Sequence, residues 1–233
     1  MLNFDQFEIL TFDCYGTLVD WESGIFSALR PLLTKYGKSI SDVHLLELYG
    51  EFEASAEAGP YRSYREILGT VTRTFADRLG FSPTDLELRA LADSVPDWLP
   101  WPDTVAALNQ LSKHYKLAII SNIDDDLFAK TRPKLAVSFD HVITAQQARC
   151  YKPGPAIFQL ALEKIKLDTS CILHVGQSIY HDVLPAQAFG VGTVWVNRPS
   201  PRAGIGAVKS AQGRPDLEVP NLQRLADLAA PAR

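Results

Sequence analysis

The most informative segment of this chain is residues 12–18, with the sequence FDCYGTL. It ends an apolar run at residues 7–12, FEILTF, that is typical of a buried strand in a parallel sheet. Gly16 then permits the tight turn that follows such a strand. Open α/β sheets bind their ligands at the carboxyl ends of the strands, and Asp13 lies at such an end. Asp13 is therefore the first candidate functional residue.

Composition excludes several classes of function. The chain has 233 residues, of which 46% are hydrophobic and 21% are charged, as is ordinary for a soluble globular protein. The formal charge of −4 provides no basic surface for nucleic acid, and no apolar run approaches the roughly 20 residues of a membrane span. The amino terminus lacks the pattern of a secretion signal. Cys14, Cys150 and Cys171 are scattered along the chain, as is typical of buried thiols in a protein from a reducing compartment. We expect a cytoplasmic protein that binds neither nucleic acid nor membrane.

Strand-like and helix-like patterns alternate through most of the chain. Further apolar runs that are typical of strands lie at residues 117–120, 141–143, 171–175 and 192–197. Amphipathic helical patterns separate them, as in residues 104–115 and 155–166. This alternation predicts an α/β fold with a doubly wound parallel sheet. Residues 197–220, rich in proline, glycine, serine and alanine, are instead predicted to form a long irregular surface segment.

Residues 21–99 interrupt this alternation. Three helical patterns occur there, at about residues 23–36, 43–58 and 64–79, without a convincing strand. The proline-rich residues 95–102 then return the chain to the sheet. The sequence therefore predicts two domains, an α/β core of residues 1–20 and 100–233 and a small α-helical domain of residues 21–99.

Polar residues also follow three of the later predicted strands. Ser121 and Asn122 come directly after residues 117–120, Lys152 lies in the segment YKP, and Asp182 ends the loop HVGQSIYHD. Together with residues 12–18, these segments resemble, in the same order, the four motifs of the haloacid dehalogenase-like hydrolase superfamily. The resemblance covers nearly the whole chain. It implies a Rossmann-like core and identifies residues 21–99 as the superfamily's small helical cap domain.

The resemblance implies a role for each of these polar residues. Asp13 matches the nucleophile, a carboxylate that attacks an electrophilic carbon and forms an ester, which water then hydrolyses. Lys152 would keep that carboxylate ionised, and Asp182 would hold Lys152 or help to activate water. The residues expected to bind or orient the substrate are Tyr15, Thr17, Ser121, Asn122, Gln177 and Ser178.

Two departures from the superfamily's phosphatases point away from phosphoryl transfer. Tyr15 stands where these phosphatases carry an aspartic acid that protonates the leaving oxygen. Gln177 stands where their loop supplies an aspartate for magnesium, a cation that prefers oxygen ligands. Both changes remove parts of the same function. We expect an enzyme that uses no metal and no other cofactor and attacks carbon; a phosphatase is the least favoured alternative.

A tyrosine at position 15 is also what the type II 2-haloacid dehalogenase branch carries. That branch holds the departing halide with a cap arginine, whereas no arginine occurs here between Arg30 and Arg62. Its tyrosine six residues after the lysine is Phe158 in this chain, and its Ser-x-Asn loop is Gly-Gln-Ser at residues 176–178. The three departures all concern the leaving group.

A positively charged leaving group accounts for this pattern, because acidic side chains attract an ammonium that an arginine would repel. Residues 45–57, LLELYGEFEASAE, are acidic where the arginine is expected. The chain is similar to azetidine-2-carboxylate hydrolases, which implies opening of the four-membered ring of L-azetidine-2-carboxylate to 2-hydroxy-4-aminobutyrate. This is the first hypothesis. The alternative is an (S)-2-haloacid dehalogenase whose halide is held by Arg62 or Arg65, and a non-catalytic binding protein on the same fold is a third.

Several other residues have a structural interpretation beside a functional one. The spacing of Glu47, Glu51, Glu53 and Glu57 fits an exposed face of a helix. Trp21 lies just beyond Asp13 and could wall a pocket, although core packing is the commoner use of tryptophan. The expected partner is a small carboxylate substrate, and the sequence leaves the formation of a homodimer open.

Overall fold

Six parallel strands form one sheet in the order β3-β2-β1-β4-β5-β6. They are observed in a computed structural model that describes residues 2–198, 206–208 and 210–230. The strands are β1 (Ile9–Phe12), β2 (Lys116–Ser121), β3 (His141–Thr144), β4 (Ile172–Gly176), β5 (Gly192–Val196) and β6 (Leu217–Val219). The predicted doubly wound α/β fold is therefore confirmed.

The centre of the sheet is buried on both faces. Every residue of β1 is buried, as expected for an apolar strand between two helical layers. Phe12 pairs with Ile119 of β2 on one side and with Val175 of β4 on the other. This register aligns the carboxyl ends of the three strands, so the residues that follow them meet at one edge of the sheet. The strand order reverses between β1 and β4, which is where open sheets of this type bind ligands.

The helices between and after these strands cover the sheet. They are α5 (Thr104–Leu111), α6 (Asp125–Thr131), α7 (Ala145–Ala148), α8 (Pro155–Ile165), α9 (Leu184–Ala188) and α10 (Leu222–Ala229). Helix α8 begins with Pro155, whose missing N–H costs nothing in the first turn. Two hydrogen bonds hold the end of helix α10 near α5. Gln110 donates to the carbonyl of Ala230, and Tyr115 donates to the carbonyl of Ala229.

Four helices follow β1 in the predicted cap. They are α1 (Trp21–Lys35), α2 (Asp42–Glu57), α3 (Tyr64–Leu79) and α4 (Asp85–Ser94). Helix α4 was not predicted, although Thr84 and Glu87 form a capping box that the sequence pattern could have revealed. The boundary between core and cap remains a prediction. Among the described residues, no helix combines the length and the apolarity needed to cross a membrane.

The prediction that residues 197–220 form an irregular segment is wrong in one part. Residues Leu217–Val219 form β6, which pairs with β5 and extends the sheet. Three residues are too few for a periodic pattern, and the pairing with β5 stabilises this strand instead. Residues 199–205 and 209 of the same segment lie outside the described residues.

Candidate active site

A cleft opens at the carboxyl ends of β1, β2 and β4, facing the helices of the predicted cap. Every predicted site residue except Thr17 lines it: Asp13, Tyr15, Ser121, Asn122, Lys152, Gln177, Ser178 and Asp182. The prediction that these residues lie together follows from the parallel strands that precede them. Their chemical roles remain predictions.

Asp13 is held firmly in this cleft. Its backbone N–H donates to the carbonyl of Val175, which continues the β1–β4 pairing by one residue. The residue as a whole is buried, at 8% exposure. Thr17 Oγ1 donates to Asp13 Oδ2 over 2.7 Å, and the N–H of Gln177 donates to the same hydroxyl over 2.9 Å. Thr17 is fully buried and therefore positions Asp13, whereas we had expected it to contact substrate.

The turn after Asp13 requires a glycine. Gly16 has a φ of +99°, which side chains on an L-residue rarely allow. A Cβ atom there would also lie 2.8 Å from Gln177 Oε1. Gly16 therefore brings the first motif close to the loop that carries Gln177.

Lys152 joins the two acidic residues of the site. Its Nζ lies 2.8 Å from Asp13 Oδ1, 2.6 Å from Asp182 Oδ1 and 3.0 Å from the carbonyl oxygen of Ile120. Burial opposes the charge on Lys152, but the two carboxylates prevail and raise its pKa. Lys152 therefore stays an ammonium. Burial raises the pKa of Asp13, and the charge of Lys152 limits that rise.

Asp182 has hydrogen-bond partners at both carboxylate oxygens. Besides Lys152, its Oδ2 accepts from the N–H of Ser178 over 3.1 Å, and His174 Nε2 lies 3.4 Å from its Oδ1. Burial works against ionisation, yet Lys152 and His174 hold the pKa of Asp182 well below its usual range. Its surroundings favour the first of its two predicted roles, that of holding Lys152, over activation of water.

Gly176 makes this arrangement possible. A Cβ atom on Gly176 would lie 2.3 Å from the carboxyl carbon of Asp182, far inside van der Waals contact. Only a glycine at the end of β4 lets Asp182 fold back toward Lys152.

Ser121 ends β2 and Asn122 follows it, but the two residues differ in what they bind. Asn122 is occupied at both ends of its amide: Oδ1 accepts from the N–H of Lys152 over 2.7 Å, and Nδ2 donates to the Lys152 carbonyl over 3.1 Å. It therefore positions Lys152 as well as lining the cleft. Among the described residues, Ser121 Oγ is the one buried side-chain polar atom without a hydrogen-bond partner. A buried hydroxyl without a partner is costly, so Ser121 is the residue best placed to bind a substrate.

Tyr15 and Ser178 shape the walls of the cleft. The Tyr15 hydroxyl lies 2.8 Å from Thr131 Oγ1, and burial raises the pKa of Tyr15 well above its usual range. Tyr15 is therefore an uncharged phenol at neutral pH. Ser178 Oγ accepts from the N–H of His181 over 3.0 Å and caps the π-helical turn Ile179–Val183.

The side of the cleft formed by α2 is acidic. Glu53 and Glu57 both line it. Tyr49 and Tyr64 donate to Glu53 Oε1 over 2.8 and 2.6 Å. Burial, and secondly the charge of Glu53, raise the pKa of Glu57 well above its usual range.

The exposed face predicted for the four glutamates is right for only two of them. Glu47 and Glu51 are exposed, whereas Glu53 is buried at 9% exposure and Glu57 faces the cleft. The reason is that α2 packs on a broad stripe that includes Tyr49 and Phe52. The position of Glu53 four residues after Tyr49 is the sequence signal for its burial, because residues at i and i+4 lie on the same face of a helix.

The arginines considered as an alternative halide site do not line the cleft. Arg62 donates to Thr70 Oγ1 and to the carbonyl of Ala56, and Arg65 pairs with Asp126 and Asp93. Both guanidinium groups are therefore already bonded to other residues of the protein. Trp21 lines the cleft, as its position beyond Asp13 suggested, and so do Tyr64, His181 and Val208.

The described residues include no group of three or more His, Cys, Asp or Glu side chains placed to hold a metal ion. Lys152 bridges the carboxylates of Asp13 and Asp182. The expectation of an enzyme without a metal remains a prediction, which metal removal tests.

The chain is similar to known hydrolases along most of its length. The profile of the haloacid dehalogenase-like hydrolases matches residues 7–190. The chain is 26% identical to haloacetate dehalogenase H-2 of Moraxella sp. (strain B), covering 97% of this chain and 99% of that one. It is 27% identical to the (S)-2-haloacid dehalogenase of Pseudomonas sp. (strain YL), covering 96% and 95%.

A solved structure is similar over the same length. It is the L-2-haloacid dehalogenase of Xanthobacter autotrophicus with chloropropionic acid covalently bound, which is 25% identical and has a TM-score of 0.78. The match covers 95% of this chain and 98% of that one.

Proposed function

Because this chain belongs to the haloacid dehalogenase-like hydrolases, we propose that it hydrolyses a small carboxylate through a covalent ester on Asp13. The observation that carries the proposal is the pair of contacts around Asp13. Thr17 and Lys152 each hold one of its carboxylate oxygens, while the side chain faces the cleft. A buried carboxylate fixed in this way is an oriented nucleophile.

The reaction has two steps. An oxygen of Asp13 attacks the carbon next to the substrate's carboxylate, and the bond to the leaving group breaks as the ester forms. Water then attacks the ester carbonyl, which restores Asp13 and releases a 2-hydroxy acid. Lys152 keeps Asp13 ionised for the first step, and the unpartnered hydroxyl of Ser121 is available to orient the substrate carboxylate or to donate to the oxyanion in the second.

Halide is the leaving group that the comparisons favour. The two relatives named above are dehalogenases of nearly the same length, and the Xanthobacter enzyme holds chloropropionic acid covalently. (S)-2-haloacids are therefore the first substrates to test.

An amine is the second candidate leaving group, and one observation favours it. Glu53 and Glu57 line the cleft in which Asp13 lies, and neither Arg62 nor Arg65 lines it. Acidic side chains attract a positively charged nitrogen and repel a departing halide. Ring opening of L-azetidine-2-carboxylate, in which ring strain assists the departure of nitrogen, is the proposed reaction of this kind.

A substrate panel separates these candidates. Purified protein is incubated with (S)-2-chloropropionate, L-azetidine-2-carboxylate or p-nitrophenyl phosphate, each with and without EDTA, and the release of halide, primary amine or phosphate is followed. Halide or amine release that requires Asp13 supports the proposal and identifies the leaving group. Turnover of phosphate alone, and its loss in EDTA, would overturn it.

A further inference from the structure

One of the four tryptophans differs from the others in its indole N–H group. Trp98, Trp101 and Trp195 each donate this group to an acceptor within the protein, over 2.8–3.0 Å. Trp21 is buried, at 8% exposure, yet its Nε1 has no hydrogen-bond partner among the described residues. This nitrogen, unlike Ser121 Oγ, is open to the cleft. Because the N–H group of a buried tryptophan normally has a partner, the partner of Trp21 comes from the cleft.

The N–H edge of the Trp21 indole faces the turn that follows Asp13. A Cβ atom on Gly16 would lie 3.2 Å from Nε1 and 3.5 Å from Cδ1 of Trp21, which are the two atoms of that edge. The side-chain amide of Gln177 borders the same space, with its Oε1 2.8 Å from that Cβ position. No hydrogen bond joins the two side chains in the described part of the chain. The glycine therefore leaves a space near Asp13 that the indole N–H group can share with a ligand.

Packing holds the indole in this orientation. Trp21 is the first residue of α1 and packs edge to face on Tyr49 of α2, with 5.7 Å between the ring centroids and an angle of 83° between the planes. Tyr49 is itself fully buried. A donor that is already fixed loses little conformational freedom when it binds, so its hydrogen bond is available without a further cost of ordering.

Few other groups of the cleft are available to bind an anion. No arginine contributes to the described lining. Four further side chains of the lining that carry N–H or O–H groups are hydrogen bonded within the protein, namely Tyr15, Tyr64, Asn122 and Lys152. The N–H group of Trp21 is therefore one of the few donors that a substrate can still use.

The direction of attack indicates which part of the substrate meets this donor. Asp13 attacks from the end of β1, and the leaving group must depart on the opposite side of the carbon, toward the helices of the predicted cap. Trp21 begins the first of these helices, whereas Ser121, the group proposed to orient the substrate carboxylate, ends β2. Burial raises the pKa of both Glu53 and Glu57, so the acidic side of the cleft opposes a departing anion less than two full charges would.

We propose that the indole N–H group of Trp21 donates a hydrogen bond to the halide as it departs from the substrate. The inference rests on the proposed function and deepens it, because it names the group that stabilises the leaving halide. An oxygen of Asp13 forms a bond to carbon, the carbon–halogen bond breaks, and its electron pair leaves with the halide. Trp21 keeps its proton throughout, and its N–H dipole stabilises the charge that develops on the halogen.

Two acids that differ only in the halogen test this role. Trp21→Phe retains an aromatic ring and removes the N–H group. With enzyme in excess over (S)-2-chloropropionate or (S)-2-bromopropionate, halide release in a single turnover reports ester formation alone. Chloride is the poorer leaving group and the stronger hydrogen-bond acceptor, so we expect its release to slow roughly 100-fold and that of bromide only about tenfold. An equal loss with both acids would overturn the inference, because a structural defect or a lost carboxylate contact affects both alike.

Tyr36→Phe is the matched control for that variant. Tyr36 lies at the other end of α1, where its hydroxyl donates to the carbonyl of Ser82 and to Glu87. The control removes a donor from the same helix outside the cleft. It should change neither rate of halide release.

A spectroscopic measurement on the unchanged protein keeps the inference testable if Trp21→Phe fails to fold. With ¹⁵N at the indole nitrogens, the four tryptophans give four N–H signals. The signal of Trp21 is expected to exchange fastest with water, because the other three groups are bonded within the protein. Sodium bromide should shift that signal, and sodium propionate, a carboxylate without a halogen, should not. A signal that responds to propionate alone, or to neither salt, would overturn the inference.

The outcomes distinguish this inference from the proposed function. An enzyme that opens L-azetidine-2-carboxylate through Asp13 and releases no halide retains the proposed ester and loses the inference. Halide release that persists in Asp13→Asn, while Trp21→Phe still slows the chloro acid selectively, would retain the halide contact and lose the proposed function.

Discussion

The ammonium of Lys152 lies 2.8 Å from Oδ1 of Asp13, and both side chains are buried. This contact links stability with activity, because each charge offsets the free-energy cost of burying the other. It also sets the protonation of the nucleophile, since the positive charge of Lys152 opposes the rise that burial imposes on the pKa of Asp13.

Replacement of Lys152 by methionine is expected to affect both properties. Two buried carboxylates, Asp13 and Asp182, would lose the ammonium that they share, and breaking a buried ion pair in this way destabilises a fold by roughly 3–5 kcal/mol. Protonation of Asp13 would also remove the nucleophile, so kcat/KM should fall at least about 100-fold, or about 2.7 kcal/mol. Thermal unfolding and steady-state kinetics measure the two effects.

Lys113→Met is the control for that experiment, since Lys113 is exposed. It should change neither property by much. If Lys152→Met kept both the melting temperature and the activity of the unchanged protein, the buried ion pairs would not have the importance given to them here.

Ser121→Ala is expected to separate activity from stability. The hydroxyl has no partner in the free protein, so its removal should leave the melting temperature unchanged or slightly raised. If it donates to the substrate or to the oxyanion of ester hydrolysis, turnover should fall roughly 10²–10³-fold. Ser138→Ala, at an exposed position, is the comparison. A drop in stability with normal turnover would assign Ser121 to the fold.

Glu57→Gln is expected to stabilise the free protein increasingly as the pH rises. The folded state holds a proton on Glu57 above the pH of about 4.3 at which an unfolded glutamate loses it, so the stability of the unchanged protein falls as the pH rises toward the raised pKa of Glu57. The variant has no carboxyl group at position 57, so its stability does not fall with pH for this reason. The other titratable groups that line the cleft are Asp13, Tyr15, Glu53, Tyr64, Lys152, His181 and Asp182.

Melting temperatures of the variant and the unchanged protein at pH 5 and pH 8 test this prediction. The difference between the two proteins should be a few degrees larger at pH 8, whereas Glu51→Gln should give a similar difference at both values. A difference that is the same at pH 5 and pH 8 would mean that Glu57 is already ionised in the folded state.

Removal of divalent cations is expected to leave the activity unchanged. Tyr15 and Gln177, neither of them a carboxylate, line the cleft beside Asp13, and Lys152 supplies a positive charge between Asp13 and Asp182. The rate with the best substrate of the panel is compared before and after dialysis against EDTA and again after addition of magnesium. A loss in EDTA that magnesium restores would contradict the expectation.

The parts of the site that could be predicted are those determined by local sequence. Asp13 and Gln177 directly follow β1 and β4, and Ser121 is the last residue of β2. Parallel strands bring their carboxyl ends together regardless of the details of packing. The order of the motifs along the chain was therefore sufficient to place these residues in one cleft.

The parts that were missed depend on contacts between distant segments. Glu53 and Glu51 are indistinguishable by composition, and only the packing of α2 decides which of them is buried. Thr17 and Asn122 have hydroxyl and amide groups suited to a substrate, yet Asp13 and the Lys152 backbone occupy them. Strand β6 depends on its pairing with β5.

The covalent ester on Asp13 is the central claim, and isotope incorporation in a single turnover tests it most directly. Excess enzyme is mixed in H₂¹⁸O with whichever acid of the panel it turns over, and Asp13→Asn serves as the inactive control. The account predicts that ¹⁸O enters the carboxylate of Asp13 and that the hydroxyl of the product remains unlabelled, because water attacks the ester carbonyl. Label in the product hydroxyl with unlabelled Asp13 would show direct attack by water and contradict the account.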